Sequence, residues 1–222
     1  MFHVCMIPGL GVDERIFEHL SVEQSFTRTI IRWIAPQPQE NLAHYAARLA
    51  EQLPTTEQLI LIGVSFGGIV AIEMAKMLNP VLTIIISSVK TSQELPWYYR
   101  LAGRLRLPYL VPLHLGKKMY RMQNYIFGAK TKEEARLLRQ IIREIDIPYV
   151  RWALYQISTW PNKKLIPGLI HLHGSHDKLF PVRYIRNYTP LTGGEHLMVV
   201  SLGEQVSRII NAELLKLSKK SA

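Results

Sequence analysis

Cysteine is almost missing from this 222-residue chain: Cys5 stands alone. That excludes a disulfide framework within the chain and a metal cage built from cysteines. Cys5 lies in the apolar run Val4-Cys5-Met6-Ile7 and reads as a buried structural thiol. Long hydrophobic runs are missing too. No apolar stretch reaches the roughly 20 residues that a membrane-spanning helix requires. The N-terminal run is short, carries no basic leader and breaks at Pro8-Gly9, which does not fit a secretion signal. These absences predict a soluble chain, with the cytoplasm as the expected location. No Walker-type GK[ST] occurs. Gly9-Leu10-Gly11 imitates the start of a dinucleotide fingerprint, but Glu14 occupies the third glycine position and no acidic residue ends the second predicted strand. No cofactor is therefore expected. Nucleic-acid binding has only net charge behind it and no motif.

Acidic residues are few: 17 Asp and Glu against 27 Lys and Arg give a formal charge of +10. The excess is uneven. Residues 1–88 carry −3, residues 89–160 carry +8 and residues 161–222 carry +5. A basic middle attracts nucleic acid, anionic lipid or an acidic partner protein. It also fits a solvated helix face kept soluble by Lys and Arg.

What is present is enough apolar matter, 48 % of residues, for one well-filled domain. Apolar runs at 2–7, 29–34, 57–62 and 81–87 read as strands. Helical spacing fills the gaps at 12–20, at 42–53 with Asn41 as its cap, and at 66–78. Continuous apolar strands alternating with helices predict a parallel sheet covered on both faces. Residues 89–160 interrupt this alternation. Short amphipathic helices are expected at 97–105 and 117–122. Thr131-Lys132-Glu133-Glu134 has the form of a capping box and opens a longer helix, and Pro148 starts another that runs up to Trp160-Pro161. The aromatic and Met residues of this insertion either line a pocket or fasten it to the core. The alternation resumes with a strand at 169–173, a short helix at 182–187, a weak strand at 188–192, and a C-terminal helix over about 197–217 with a frayed tail. The organisation predicted is a core of 1–88 and 161–222 around a helical cap at 89–160.

The stretch that carries chemistry is Gly63-Val64-Ser65-Phe66-Gly67, between a strand and a helix. In that setting G-x-S-x-G is a turn that lifts the serine hydroxyl above the sheet, and the glycines stand where strand and helix close in. A serine hydroxyl needs a base, and the base needs an orienting acid. His196 follows the last predicted strand in a Gly-rich loop. Asp177 follows the fifth. Both fall on the sheet edge of Ser65, where ligands bind in parallel sheets. The oxyanion of an acyl-transfer intermediate needs N–H donors. The main chain of Phe66 and of Leu10, the latter flanked by Gly9 and Gly11, is placed to supply them.

With these residues in view, the chain resembles the α/β-hydrolase fold over nearly its whole length, beginning at what is usually that fold's third strand. Four motifs carry the resemblance: Pro8-Gly9-Leu10-Gly11, Gly63–Gly67, the H-G-x-x-D-x-x-x-P segment from His173 to Pro181, and Gly193-Gly194-Glu195-His196. The order Ser…Asp…His is that of the fold. The resemblance implies Ser65 as nucleophile, Asp177 as acid and His196 as base. It departs from many relatives at Pro8, where they have histidine. The serine argues against the dehalogenase branch, which carries an aspartate.

Two function classes follow. One is a serine hydrolase acting on an ester or thioester of a small hydrophobic acyl group, its basic cap suiting an acidic carrier. The other is a ligand- or partner-binding protein on the same fold with little or no turnover. Lyases and C–C bond hydrolases use the same three residues on this fold. His171, His173, His176 and Asp177 invite a metal reading, but the two-residue spacing of a buried strand explains His171 and His173 as structural imidazoles, and no metal is expected.

Overall fold

The structure is a computed structural model describing residues 2–54, 58–110, 112–113 and 118–221. Six strands form one sheet: β1 (Phe2–Ile7), β2 (Thr27–Ile30), β3 (Gln58–Val64), β4 (Leu82–Ile86), β5 (Leu169–Gly174) and β6 (Thr189–Leu191). Their order is β2-β1-β3-β4-β5-β6, and every pairing is parallel. The chain leaves β1 toward one edge and returns at β3 toward the other. The crevice beyond the carboxyl ends of β1 and β3 is therefore the topological switch point, where such sheets bind ligands.

Side-chain alternation divides the core into two layers. Cys5, Ile7, Leu61 and Ile85 face α1 (Leu42–Ala50) and α2 (Phe66–Leu78). Val4, Met6, Ile60, Ile62, Ile84 and Ile86 face the other way, where Val206, Ile210 and Leu214 of the C-terminal helix are buried. Each face needs its own cover because a strand in a central parallel sheet is apolar on both sides. Asn41 caps α1 by accepting from the His44 N–H at 2.9 Å.

Residues 89–160 contain α3 (Trp97–Arg104), α4 (Leu107–Leu110), α5 (Tyr120–Phe127), α6 (Lys132–Glu144) and α7 (Ile147–Thr159). The capping box is present: the Glu134 N–H donates to Thr131 Oγ1 at 3.1 Å and the Thr131 N–H to the Glu134 carboxylate at 3.0 Å. Tyr149, Val150, Trp152 and Ala153 of α7 are buried in the same layer as α1 and α2. The Trp152 ring centroid lies 4.6 Å from that of Tyr45, tilted by 55°, and its indole N–H reaches the Glu40 carbonyl at 3.0 Å. These aromatics fasten the inserted helices to the core.

Several boundaries differ from expectation. The helix expected at 12–20 is a single 3-10 turn, Glu14–Phe17, capped at its start by Asp13, which accepts from the Arg15 N–H and guanidinium. The second strand is Thr27–Ile30 rather than 29–34. Trp33 leaves the sheet to donate to the Gly9 and Val12 carbonyls at 3.0 and 2.9 Å. The third strand runs on through Gly63 and Val64; its expected first residue, Glu57, lies outside the described residues, as does Lys117 of the expected 117–122 helix. The short helix at 182–187 is a 3-10 turn, Val182–Tyr184. The C-terminal helix is divided into α8 (Met198–Ser201) and α9 (Gly203–Ser221), so the tail is helical to Ser221 where fraying is expected. The break falls at Leu202, just before Gly203, where a side chain would overlap the His19 carbonyl.

Candidate active site

The Gly-x-Ser-x-Gly turn connects β3 directly to α2. Ser65 adopts φ 53° and ψ −118°, a conformation that non-glycine residues rarely hold. The flanking glycines are there for space. A Cβ on Gly63 would overlap the main chain of Gly67 and Gly68, and one on Gly67 would overlap the Ile7 and Pro8 carbonyls. The turn is thus pressed against the end of β1. Ser88, just past β4, holds it from the other side by donating to the Ser65 carbonyl at 2.7 Å.

The structure brings Ser65, His196 and Asp177 together from three strand ends. His196 Nε2 lies 2.9 Å from Ser65 Oγ, and His196 Nδ1 lies 2.9 Å from Asp177 Oδ2. With Nδ1 donating to the carboxylate, Nε2 is free to accept from the serine. Asp177 also accepts from the Leu179 and Phe180 N–H groups, each at 2.9 Å on Oδ1. Burial pushes the Asp177 carboxyl up, but the charge and hydrogen bond of His196, the nearby His173 and the Phe180 N–H together hold it below the usual carboxylate value. The His196 ring lies between Phe127 and Phe180, with centroids 5.8 and 5.7 Å away.

Phe66 is the first residue of α2, so its N–H has no acceptor within the helix. Gly9, beside Leu10, lies against Ser65: a Cβ there would sit 3.7 Å from the Ser65 Cβ. The Phe66 N–H and the loop that carries Gly9 thus both lie next to Ser65. Hollows of about 520 Å³ beside α1 and Trp160, and about 700 Å³ behind Asp177, are lined by neither Ser65 nor His196.

His171 and His173 lie on one face of β5 with ring centroids 5.0 Å apart. Their partners are polar groups of the chain. Lys90 Nζ reaches His171 Nδ1 at 3.0 Å, His171 Nε2 reaches His173 Nδ1 at 3.2 Å, and His173 Nε2 reaches the Phe180 carbonyl at 2.8 Å. Lys90 also pairs with Glu94 at 2.9 Å and with the Arg186 carbonyl. Burial, with Lys90 close to His171, pushes both imidazoles below their ordinary pKa. Among the described residues, no cluster of His, Cys, Asp or Glu is arranged to hold a metal ion.

Sequence reasoning missed the residues that brace this arrangement. Phe127 comes from α5, and its carbonyl accepts from the Leu197 N–H at 3.0 Å. Gly128 permits that approach, since a Cβ there would overlap Glu195. A glycine at a helix end is a readable signal, but its distant partner is not. Lys90 and Glu94 gave no periodicity or motif that would have marked them, whereas Ser88 was placed at this sheet edge by its position after the fourth strand.

No protein-family model matches the chain, and no curated protein matches it in sequence. Solved structures do match in fold. A thermophilic esterase from Thermogutta terrifontis superposes with a TM-score of 0.73 at 17 % identity, over 97 % of this chain and 90 % of that one. A carboxylesterase structure from the thaumarchaeon Nitrososphaera gargenis gives 0.72 at 17 %, over 99 % and 92 %. YbtT, a type II thioesterase of yersiniabactin biosynthesis, gives 0.59 at 19 %, over 93 % and 91 %. A six-stranded parallel sheet, a strained strand–turn–helix connection at its switch point and these superpositions agree: the chain has the α/β-hydrolase fold.

Proposed function

We propose that this protein is a serine hydrolase that cleaves an ester or thioester of a small hydrophobic acyl group. The observation that carries the reading is the continuous pair of 2.9 Å contacts from Ser65 Oγ through His196 to Asp177, with Ser65 held in the strained elbow conformation. In this reading Ser65 Oγ attacks the acyl carbon while His196 Nε2 takes its proton. Asp177 holds the ring and stabilises the imidazolium. The carbonyl oxygen becomes an oxyanion that accepts from the Phe66 and Leu10 N–H groups. Collapse expels the alcohol or thiol, which takes its proton from His196 and leaves an acyl group on Ser65. A water deprotonated by His196 then releases the acid and restores the serine.

The insertion at 89–160 acts as the cap of this site. Its Phe127 edge on His196 supports that role, as does the burial of Tyr149 and Trp152 near Phe66. The aromatic surroundings favour an apolar acyl group.

Stopped-flow hydrolysis of a p-nitrophenyl ester series, with mass spectrometry of the quenched protein, tests the reading. A burst with an acyl adduct on the Ser65 peptide is expected. Turnover of none of these esters or of coenzyme A thioesters by well-folded protein would favour a binding protein on the same fold.

A thioester carried on an acidic protein is a second reading. It is favoured by the type II thioesterase among the fold neighbours and by the +8 balance of 89–160. It requires kcat/KM for a carrier-bound thioester to fall steeply with salt while that for a neutral ester stays level.

A further inference from the structure

The inserted helices have an outer surface that the hydrolase reading does not use. No Asp or Glu occurs between Glu94 and Glu133, a span that holds eight Lys and Arg. Within it, α3 and α4 expose an apolar row: Trp97, Leu101 and Leu105 at one-turn spacing, then Leu107 and Leu110. Trp97 is 59 % exposed, Leu105 57 % and Leu110 73 %. Arg100, Arg104 and Arg106 stand beside these residues, exposed, and none has a carboxylate partner among the described residues.

The other side of the same helices is fully committed to the protein. Gly103 is buried against Ser158 of α7, where a Cβ would not fit. Tyr99 donates to the Leu179 carbonyl at 3.0 Å, and Pro108 is buried. The outer face is therefore held rigidly outward.

We propose that the outer face of α3 and α4 docks on anionic lipid bilayers. Trp and Leu side chains that alternate with arginines along one short helical face are the pattern of interfacial helices. The apolar groups enter the acyl boundary and the arginines reach the phosphates. Charge complementarity selects an anionic surface, since the face carries three unpaired positive groups and no negative one. A second copy of this chain fits poorly, because a two-fold contact would set arginines against arginines. A bilayer accepts the staggered apolar row without needing a matching set of pockets. Binding of this size is reversible and salt-sensitive. It does not depend on chemistry at Ser65.

Flotation of the full chain with phosphatidylcholine vesicles, with and without phosphatidylglycerol, tests this. Partition onto the phosphatidylglycerol vesicles is expected, weakening with salt, and little onto phosphatidylcholine alone. Neutralising two arginines (Arg100→Gln with Arg104→Gln) should cut partition by about 25-fold, taking about fivefold per basic group near the surface. Vesicles should also shift the tryptophan emission to the blue, and Trp97→Phe should remove the shift, because Trp152 and Trp160 are buried in the fold and the half-buried Trp33 is held away from this face by the Gly9 and Val12 carbonyls. These positions are exposed, so the variants keep the fold. The proposal is overturned by absence of flotation with phosphatidylglycerol, by equal binding to both vesicles, or by a blue shift that survives Trp97→Phe. It is also overturned if the same face captures an acidic carrier protein or a second copy while vesicles stay unbound.

Discussion

His173 donates through Nε2 to the Phe180 carbonyl at 2.8 Å, while the Phe180 N–H donates to the Asp177 carboxylate at 2.9 Å. The direction of the whole buried chain follows. A carbonyl only accepts, so His173 carries its proton on Nε2 and accepts on Nδ1. His171 must then donate from Nε2 and accept at Nδ1 from Lys90. Both imidazoles are neutral, in line with burial pushing them down. The run of contacts fixes the 177–180 loop and, through it, the carboxylate that faces His196.

Replacing His173 by Phe removes the donor to Phe180 and strands the His171 N–H. The expected loss of stability is about 1–3 kcal/mol, the cost of leaving buried polar groups unpaired. Under the hydrolase reading, kcat falls at least tenfold with KM little changed, and His173→Gln, which keeps an N–H donor, recovers part of it. Urea denaturation and ester kinetics check both. A parallel loss in KM would mean that the loop shapes the substrate site instead.

Stability should fall as the solution is acidified through the histidine range. The folded-state pKa values of His171 and His173 lie below 6.5, so the unfolded chain binds protons first. The stability they contribute is fully present above about 6.5 and is lost as pH falls toward the folded values. Asp177, held below 3.8, adds a second loss at still lower pH. Urea midpoints measured from pH 7.5 to 4 should decline, and His171→Leu should flatten the first part of the slope. An unchanged slope in that variant would mean that other histidines dominate.

Ser65→Gly should stabilise the protein while ending any serine chemistry. Glycine holds positive φ without strain, and strain of this kind is worth on the order of 1–3 kcal/mol. The extra flexibility of glycine in the unfolded chain offsets part of it, leaving a gain of about 1 kcal/mol. Thermal melting reads the result, and a lower melting temperature than wild type would contradict a strained elbow.

Gly67→Ala should do the reverse. Its Cβ would overlap the Ile7 and Pro8 carbonyls, which cannot move without shifting β1 away from Ser65. A loss of about 1–3 kcal/mol is expected from such overpacking. Reactivity at Ser65 should drop further than stability does, since Leu10 lies on the displaced loop. An alanine variant with wild-type stability and labelling rate would show that this approach is looser than described.

Much of the fold was legible because parallel strands buried on both faces leave unbroken apolar runs, such as Leu59–Ile62 and Ile84–Ile86. The meeting of Ser65, Asp177 and His196 was legible because each falls in a Gly-containing turn or loop after a predicted strand. Short elements were less so. The 12–20 stretch has helical spacing, yet only one 3-10 turn, Glu14–Phe17, forms behind the Asp13 cap. Trp33 reads as strand by propensity, but its indole N–H is satisfied only by leaving the sheet for Gly9 and Val12. The Lys90–His171–His173 run was hidden because contacts between residues about 80 positions apart leave no periodic trace.

The most direct test of the central claim is fluorophosphonate labelling of the intact protein, read by mass spectrometry. One adduct is expected, mapped to Ser65, absent from Ser65→Gly and slowed at least a hundredfold in His196→Ala, the order expected for loss of a general base. Well-folded wild-type protein that takes up no label, or an adduct that persists in Ser65→Gly, would contradict it.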